Sequence, residues 1–142
     1  MVEGLTGNII SFDFGTKRIG VAVGQFVTGT ATPLPPLSAS RGIPDWQAIQ
    51  NLIMMWKPQA FVVGLPLNMD GTEQLITNYV RTFIESLKQY THLPIYEVDE
   101  RLTTVEARSQ LFEEGGYAAL QKQSIDSFAA KLILEAWFQQ IC

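Results

Sequence analysis

Apolar residues along the chain form several short, strand-like runs. Two of them, Asn8–Phe14 and Ile19–Gly24, flank a Gly-Thr-Lys-Arg turn and predict a β-hairpin. The proline-bearing stretch Gly29–Leu37 predicts a third strand at a sheet edge, where proline is tolerated. The continuous runs Ala60–Gly64 and Pro94–Val98 predict two further strands, of which the first is covered on both faces.

Apolar residues at steps of three and four positions predict helices after the third strand. The predicted helices run from Pro44 to Pro58, from Leu75 to Leu87, from Thr103 to Gly116 and from about Ser124 to Gln140. The order β-β-β-α-β-α-β-α-α predicts an α/β fold with a mixed five-stranded sheet, in which three antiparallel strands are followed by two parallel ones. Helices are expected on both faces, and residues 1–142 are expected to form one domain.

Composition limits the class of protein. The 142 residues are 46% hydrophobic and 17% charged, which is typical of a globular chain with a large core. No apolar run approaches the roughly 18 residues that a membrane span needs, and no secretory leader is apparent. The single cysteine, Cys142, excludes an internal disulfide. A net charge of −4 has the wrong sign for a nucleic-acid-binding protein, unless basic residues cluster locally.

Three acidic positions stand in apolar surroundings. Asp13 lies between two phenylalanines in the first strand, Asp99 and Glu100 follow the last strand, and Asp126 lies in the first turn of the last helix. An isolated buried carboxylate costs several kcal/mol unless a positive group pairs with it. Helical spacing places Asp126 on the face that should pack against the sheet, which it shares with Ala129, Ala130, Ile133 and Trp137.

Two interpretations of these acids remain open. Asp13 could be a hydrogen-bonded structural acid, Asp99 and Glu100 a solvated loop pair, and Asp126 a residue that complements the helix dipole. If the first strand is central, the acids instead converge and repel one another unless a divalent cation binds them. Mg²⁺ prefers such oxygen ligands, and two ions about 4 Å apart would support cleavage of a phosphodiester.

Four motifs resemble one known family. The motifs, which occur in order over essentially the whole chain, are FDFGTKRIGVAVG, VVGLPLNMDGTE, VDERLTTVEARSQLFEEGG and DSFAAKLILEAWF. They are similar to those of the YqgF-type pre-16S rRNA nucleases. These proteins are also described as Holliday-junction-resolvase-like and have a ribonuclease H-like fold. The resemblance implies a cytoplasmic bacterial enzyme that processes the 5′ end of the small-subunit rRNA precursor. It also implies that Asp13, Glu100 and Asp126 are the catalytic ligands of Mg²⁺, which Mn²⁺ can replace, with Asp99 as an additional helper.

Basic and polar residues in the neighbouring segments are candidate substrate contacts. Lys17 and Arg18 lie in the first turn and Arg101 adjoins the acidic pair, so we expect all three to contact phosphates. The loop before the second helix could present Asn68 and Thr72 to a phosphate, or could be only a turn and helix cap. Solvated turn residues are the alternative interpretation for the three cations.

The acidic residues and the family resemblance together lead to several hypotheses about function. The first hypothesis is a metal-dependent nuclease whose partner is precursor rRNA or a pre-ribosomal particle. A resolvase of four-way DNA junctions is a variant, which would need a two-fold dimer for paired cuts. A non-catalytic ribosome-assembly factor and an ATP-binding module similar to one lobe of actin-like ATPases are the alternatives. The sequence gives no indication of oligomeric state and no indication of a membrane partner.

Overall fold

The computed structural model describes residues 6–68, 70–99 and 125–141. The predicted helix at 103–116 and the predicted site residues Glu100 and Arg101 lie outside these ranges. The described elements are β1 (Asn8–Asp13), β2 (Arg18–Gln25), β3 (Thr30–Ser40), β4 (Ile43–Pro44), α1 (Trp46–Trp56), β5 (Ala60–Leu65), α2 (Leu75–Tyr90), β6 (Ile95–Asp99) and α3 (Ile125–Gln140). None of these three helices is both long and apolar enough to cross a membrane.

The strands form one mixed sheet in the order β4-β3-β2-β1-β5-β6. Strands β1 to β4 pair antiparallel, while β5 and β6 run parallel to β1. The predicted arrangement of three antiparallel and two parallel strands is confirmed, and β1 is central. The carboxyl ends of β1, β5 and β6 therefore lie at the same end of the sheet, where α/β proteins commonly place functional groups.

A sixth strand was not predicted. Pro44 was expected to open a helix, but it lies in β4 and pairs with Ala39 of β3. The helix α1 begins two residues later, because Asp45 is extended and its carboxylate accepts the Gln47 N–H at 3.1 Å, as an N-cap does. A two-residue strand has no measurable periodicity, so the hydrophobic pattern did not reveal it.

The prolines of β3 lie at positions where strand pairing does not need a backbone N–H donor. The register between β2 and β3 shifts between Ile19 and Val21, opposite the segment that contains Pro35 and Pro36. Only Ala39 and Ser40 pair with β4, so most of the outer side of β3 is a sheet edge, as predicted.

Apolar residues alternate between the two faces of the sheet, and helices cover both. One cluster packs under α1 and α2 and contains Phe12, Val63 and Phe83. The other packs under α3 and contains Val62 and Trp137. The prediction of helices on both faces is confirmed, and so is burial of the predicted α3 face, with Ala129, Ala130, Ile133 and Trp137 all at most 4% exposed.

The first turn of α3 lies directly on β2 at Gly20. A Cβ at this position would overlap the carbonyl group of Asp126. Only the absence of a side chain therefore allows the helix backbone to approach the strand this closely. Asp126, which begins the buried face of α3, is held against the sheet by this contact.

We expect Gly20→Ala to lower the free energy of unfolding by about 1–3 kcal/mol, the usual cost of an added core methyl group. The cause is steric, because the methyl group would meet helix backbone that cannot rotate away. Urea denaturation measures the change. Gly7→Ala is the control, since the three atoms nearest to a Cβ at Gly7 all belong to the Gln59 side chain and lie 3.2 Å or more away. Equal stabilities of the two variants would contradict this account of the helix contact.

Candidate active site

Asp13 and Asp126 are brought to the same end of the sheet. Ser11 is fully buried and its hydroxyl donates to the Ala130 carbonyl of α3 at 2.7 Å. Side chains two positions apart share one face of a strand, so Asp13 lies on the face covered by α3. Asp13 also pairs in register with Gly20, the residue on which the Asp126 backbone rests. Position in the fold therefore makes neighbours of residues 113 positions apart in sequence.

Neither carboxylate is deeply buried. Asp13 is half-buried, in contrast to the apolar burial that its two phenylalanine neighbours suggested, and the Asp126 side chain is 30% exposed. Partial exposure lowers the cost of two acids near each other and leaves their oxygens accessible to solvent ions. The chemistry of the pair is that of oxygen ligands for a hard divalent cation.

Ser127 anchors the first turn of α3. Its side chain is buried, and its hydroxyl oxygen accepts the Val21 N–H at 3.1 Å, at the point where the β2–β3 register shifts. Sequence reasoning missed this residue and the close approach at Gly20. The interior glycine of β2 was the available signal, because glycine within a strand often marks a place where another backbone comes near.

Arg18 lies next to the acidic pair. Its Nε atom is 3.6 Å from Asp126 Oδ2, and the Arg18 side chain is 68% exposed, so this is a loose surface ion pair. Lys17 is exposed in the turn between β1 and β2, close to the same end of the sheet. Two of the three predicted cations therefore flank the acids, while contact with a phosphate stays a prediction for both.

The third acidic position is only partly described. Asp99 is the last residue of β6, is exposed, and pairs with Leu65 of β5 at the same end of the sheet as Asp13. Glu100 lies outside the described residues, so convergence of Asp13, Glu100 and Asp126 stays a prediction. Within residues 6–68, 70–99 and 125–141, no three histidine, cysteine or acidic residues are grouped as a metal site.

Asn68 and Thr72 lie in one hydrogen-bonded turn after β5. The Asn68 amide donates to Thr72 Oγ1 at 2.9 Å, and that hydroxyl donates to Asp70 Oδ1 at 2.6 Å. The first turn of α2 is closed elsewhere, by the Gln74 N–H donating to Thr77 Oγ1. The turn interpretation is thus confirmed, and the N-cap of α2 is Gln74. Phosphate binding by Asn68 and Thr72 stays a prediction.

Arg81 ties this loop to the sheet, which the sequence pattern did not suggest. Its Nε donates to the Glu73 carboxylate at 2.8 Å, and its Nη1 lies 3.8 Å from Glu97 on β6. The hydrogen bond to Glu73 raises the pKa of Arg81, so the guanidinium remains charged. Arg81 thereby links the loop after β5 to the strand that leads to Asp99, through exposed ion pairs.

Comparison with known proteins places these features in a family. The RuvX model, described as Holliday junction resolvase, matches residues 7–140. A protein from an Escherichia coli O157:H7 strain named "Putative pre-16S rRNA nuclease" is 54% identical over 136 residues, which are 96% of this chain and 99% of that protein. A Klebsiella pneumoniae protein of the same name has the same identity and coverage. The resemblance carried by the four motifs is confirmed, and so is the predicted class of protein, a nuclease.

Solved structures share the fold. A Thermus thermophilus RuvC in complex with a Holliday junction substrate aligns with a TM-score of 0.59 at 13% identity, covering 94% of this chain and 95% of that one. A Fowlpox virus resolvase in complex with junction DNA aligns with a TM-score of 0.54 at 11% identity, covering 94% and 98%. The predicted ribonuclease H-like fold class is confirmed by this likeness.

We expect Ser127→Ala to lower the free energy of unfolding by about 1–3 kcal/mol, because it leaves the buried Val21 N–H without its acceptor. Urea denaturation is the measurement. Thr82→Ala serves as the matched control, since Thr82 is exposed on α2 and its hydroxyl, among the described residues, bonds only the Asn78 carbonyl. Its effect should stay within about 0.5 kcal/mol. A Ser127→Ala variant as stable as Thr82→Ala would show that this anchor contributes nothing.

Proposed function

We propose a function from one premise: the chain belongs to the RuvX family, whose model matches residues 7–140. The chain is a metal-dependent nuclease that hydrolyses phosphodiester bonds of RNA and processes the 5′ end of the small-subunit rRNA precursor. Relatives 53–54% identical over 136 residues carry a name that refers to this precursor. The protein acts in the bacterial cytoplasm, where its partner is precursor rRNA or a pre-ribosomal particle.

One observation carries the proposal. The register of β1 with β2 and the contact at Gly20 bring Asp13 and Asp126 together beside the carboxyl end of the central strand. Two accessible carboxylates fit Mg²⁺, which commonly takes one or two carboxylates together with waters and phosphate oxygens. Glu100 completes the ligand set by the family's motif, and Asp99, at the end of β6, is an additional helper.

The residues of the site have separate tasks. Asp13, Glu100 and Asp126 would hold Mg²⁺ or Mn²⁺, which when bound activates water and stabilises charge on the attacking and leaving oxygens. Arg18 lies close enough to Asp126 to neutralise it before a cation binds, and it is exposed enough to turn towards a phosphate. Lys17, Arg18 and Arg101 orient the nucleic-acid backbone by contacts that are independent of base sequence.

The β5–α2 loop supplies neutral contacts. Asn68 and Thr72 are both exposed, and the turn that they form is fixed by its own hydrogen bonds. The Asn68 amide has a second N–H to donate to a phosphate, whereas the Thr72 hydroxyl would first have to release Asp70 Oδ1. The exposed ion pairs of Arg81 with Glu73 and Glu97 link this loop to β6.

Resolution of DNA junctions is the second candidate, and the description of the family model as Holliday junction resolvase favours it. The same carboxylates would serve, since the chemistry of the phosphodiester is shared. Paired cuts would require a two-fold dimer. A synthetic four-way junction tested beside the precursor RNA discriminates between the two substrates.

We expect Asp13→Asn to lower the rate of RNA cleavage by at least roughly 10²–10³-fold, the usual loss when one charge-stabilising group is removed from an active site. The assay follows a 5′-labelled precursor-rRNA leader in Mg²⁺ on a denaturing gel. Glu85→Gln is the control, because Glu85 is an exposed acid on α2 whose ion-pair partner within the described part of the chain is Lys88 alone. This variant should cut at the wild-type rate. Equal cutting by Asp13→Asn would mean a contaminating nuclease or a different site.

Metal binding can be tested without cleavage. Mn²⁺ at 100 times its dissociation constant should stabilise the wild-type protein by about 2.7 kcal/mol, because it binds only the folded site. The Asp13→Asn, Asp126→Asn double variant should lose this stabilisation. Thermal denaturation with and without Mn²⁺ measures it, and Glu85→Gln should respond as the wild type does. The same Mn²⁺-dependent rise in Tm in the double variant would place the metal elsewhere.

A further inference from the structure

The turn between β3 and β4 contains an unusual arginine. Ser40 pairs with Ile43, and the two residues between them both have positive φ, 51° for Arg41 and 81° for Gly42. Such two-residue hairpin turns favour Asn-Gly, Asp-Gly or Gly-Gly, because a side chain other than that of asparagine or aspartate is disfavoured in the left-handed region. Arg41 therefore occupies its position at a conformational cost.

The fold does not explain that cost. Arg41 is exposed, and within the described residues its guanidinium takes part in no ion pair. Backbone strain at an exposed residue indicates a functional position when the residue also lies beside a candidate site.

The tip of this hairpin is fixed to the candidate active site. The Gly42 N–H donates to the Thr16 carbonyl at 3.0 Å, and the Ala39 N–H donates to the Lys17 carbonyl at 2.9 Å. A Cβ at Gly42 would lie 2.9 Å from Tyr79 of α2 and 3.3 Å from the ring of Phe14, so the tip packs beside the end of β1 on the face of the sheet that α1 and α2 cover. Arg41 is thus presented from a rigid support, two strand spacings or roughly 10 Å across the sheet from β1.

Three cations consequently lie along one end of the sheet. Lys17, Arg18 and Arg41 are all exposed on segments that hydrogen-bond to one another, and we call this group the basic ledge. It runs from the acidic pair towards the β3–β4 edge. In a chain of net charge −4 this is the local clustering that a nucleic-acid backbone requires.

We propose that Arg41 is a substrate-binding residue that contacts a backbone phosphate of RNA a few nucleotides from the bond cut at Asp13 and Asp126. The proposal rests on the proposed nuclease function, which it extends by giving the bound strand a direction across the ends of β2 and β3, towards the β3–β4 edge. The contact is made through charge and is independent of base sequence.

Arg41→Asn tests the proposal, because it removes the charge while creating the favoured Asn-Gly turn. Binding of a fluorescein-labelled 20-nucleotide RNA is measured by anisotropy in the Asp13→Asn background, so that cleavage does not interfere. We expect the dissociation constant to rise at least roughly 10-fold, as for loss of one hydrogen bond to a charged group. The slope of log K against log salt should fall by about 0.7, the contribution of one phosphate of a single strand. The Tm should stay unchanged or rise.

Lys57→Asn is the matched control. Lys57 is the other non-glycine residue with positive φ in the described chain, at 47°, and it too is basic and exposed. It lies at the opposite end of the sheet, where the preceding Trp56 carbonyl accepts the side-chain amide of Asn8. Relief of strain should be similar in both variants, whereas RNA affinity and its salt slope should change only for Arg41→Asn.

The outcomes separate this proposal from the nuclease function. An Arg41→Asn variant with wild-type affinity and salt slope overturns the phosphate contact, even if the wild-type protein cuts RNA. A wild-type protein that does not bind the RNA probe overturns it as well, as does an equal loss of affinity in Lys57→Asn. A protein that fails to cut RNA, but loses affinity and salt slope only on Arg41→Asn, retains the contact and loses the proposed hydrolysis.

Discussion

The contact between the backbone of α3 and Gly20 of β2 determines where the chemistry of this chain can lie. The sheet alone would leave Asp13 as a single acid at the end of β1. Because β2 has no side chain at this point, the first turn of α3 comes within backbone contact of the strand that pairs with Asp13. The Ser127 hydroxyl then accepts a strand N–H, which fixes how far along β2 the helix begins. The absence of a side chain at Gly20 thus allows Asp126 to lie near Asp13.

Electrostatics follows from this packing. Two acids at one end of a sheet disfavour each other unless a cation lies near them, and Arg18 supplies one at 3.6 Å from Asp126. The pair is solvent-exposed and therefore weak, so a divalent ion can compete with it. A deeply buried arginine bridge would have stabilised the carboxylates more strongly, but it would also have excluded a metal. The loose geometry is compatible with a site that must accept both a cation and a phosphate.

The sequence predicted the strands and helices whose hydrophobic residues repeat at regular spacing. It predicted few of the features that depend on how the elements align with one another. Alternation and helical spacing identified the five long strands and the buried face of α3, since those patterns follow directly from burial. The strand β4 was missed because two residues carry no pattern, and the start of α1 was displaced because Pro44 resembles a first helical residue. Asp13 and Asp126 were recognised individually by their apolar neighbours and by the family's motifs. Their proximity depends on the close approach of α3 to Gly20, which becomes evident only when β2 and α3 are packed together.

The acidic character of the chain was the main physical objection to a nucleic-acid substrate, and the fold answers it by separating charges. The potential from a net charge of −4 is largely screened at distances beyond the Debye length, about 8–10 Å at physiological salt. Within that distance a phosphate responds to the groups nearest to it. Lys17 and Arg18 are consecutive residues. The pairing of Arg18 with Ser38 and the hydrogen bonds between the β3–β4 hairpin and the first turn bring Arg41 to the same end of the sheet. A strand bound there would meet cations before it met the acids, so attraction by the basic ledge would precede the approach of the scissile bond to Asp13 and Asp126. The backbone contacts between the first turn and the β3–β4 hairpin stabilise the fold at this end of the sheet. They therefore also determine the positions of the charges that a phosphate would encounter.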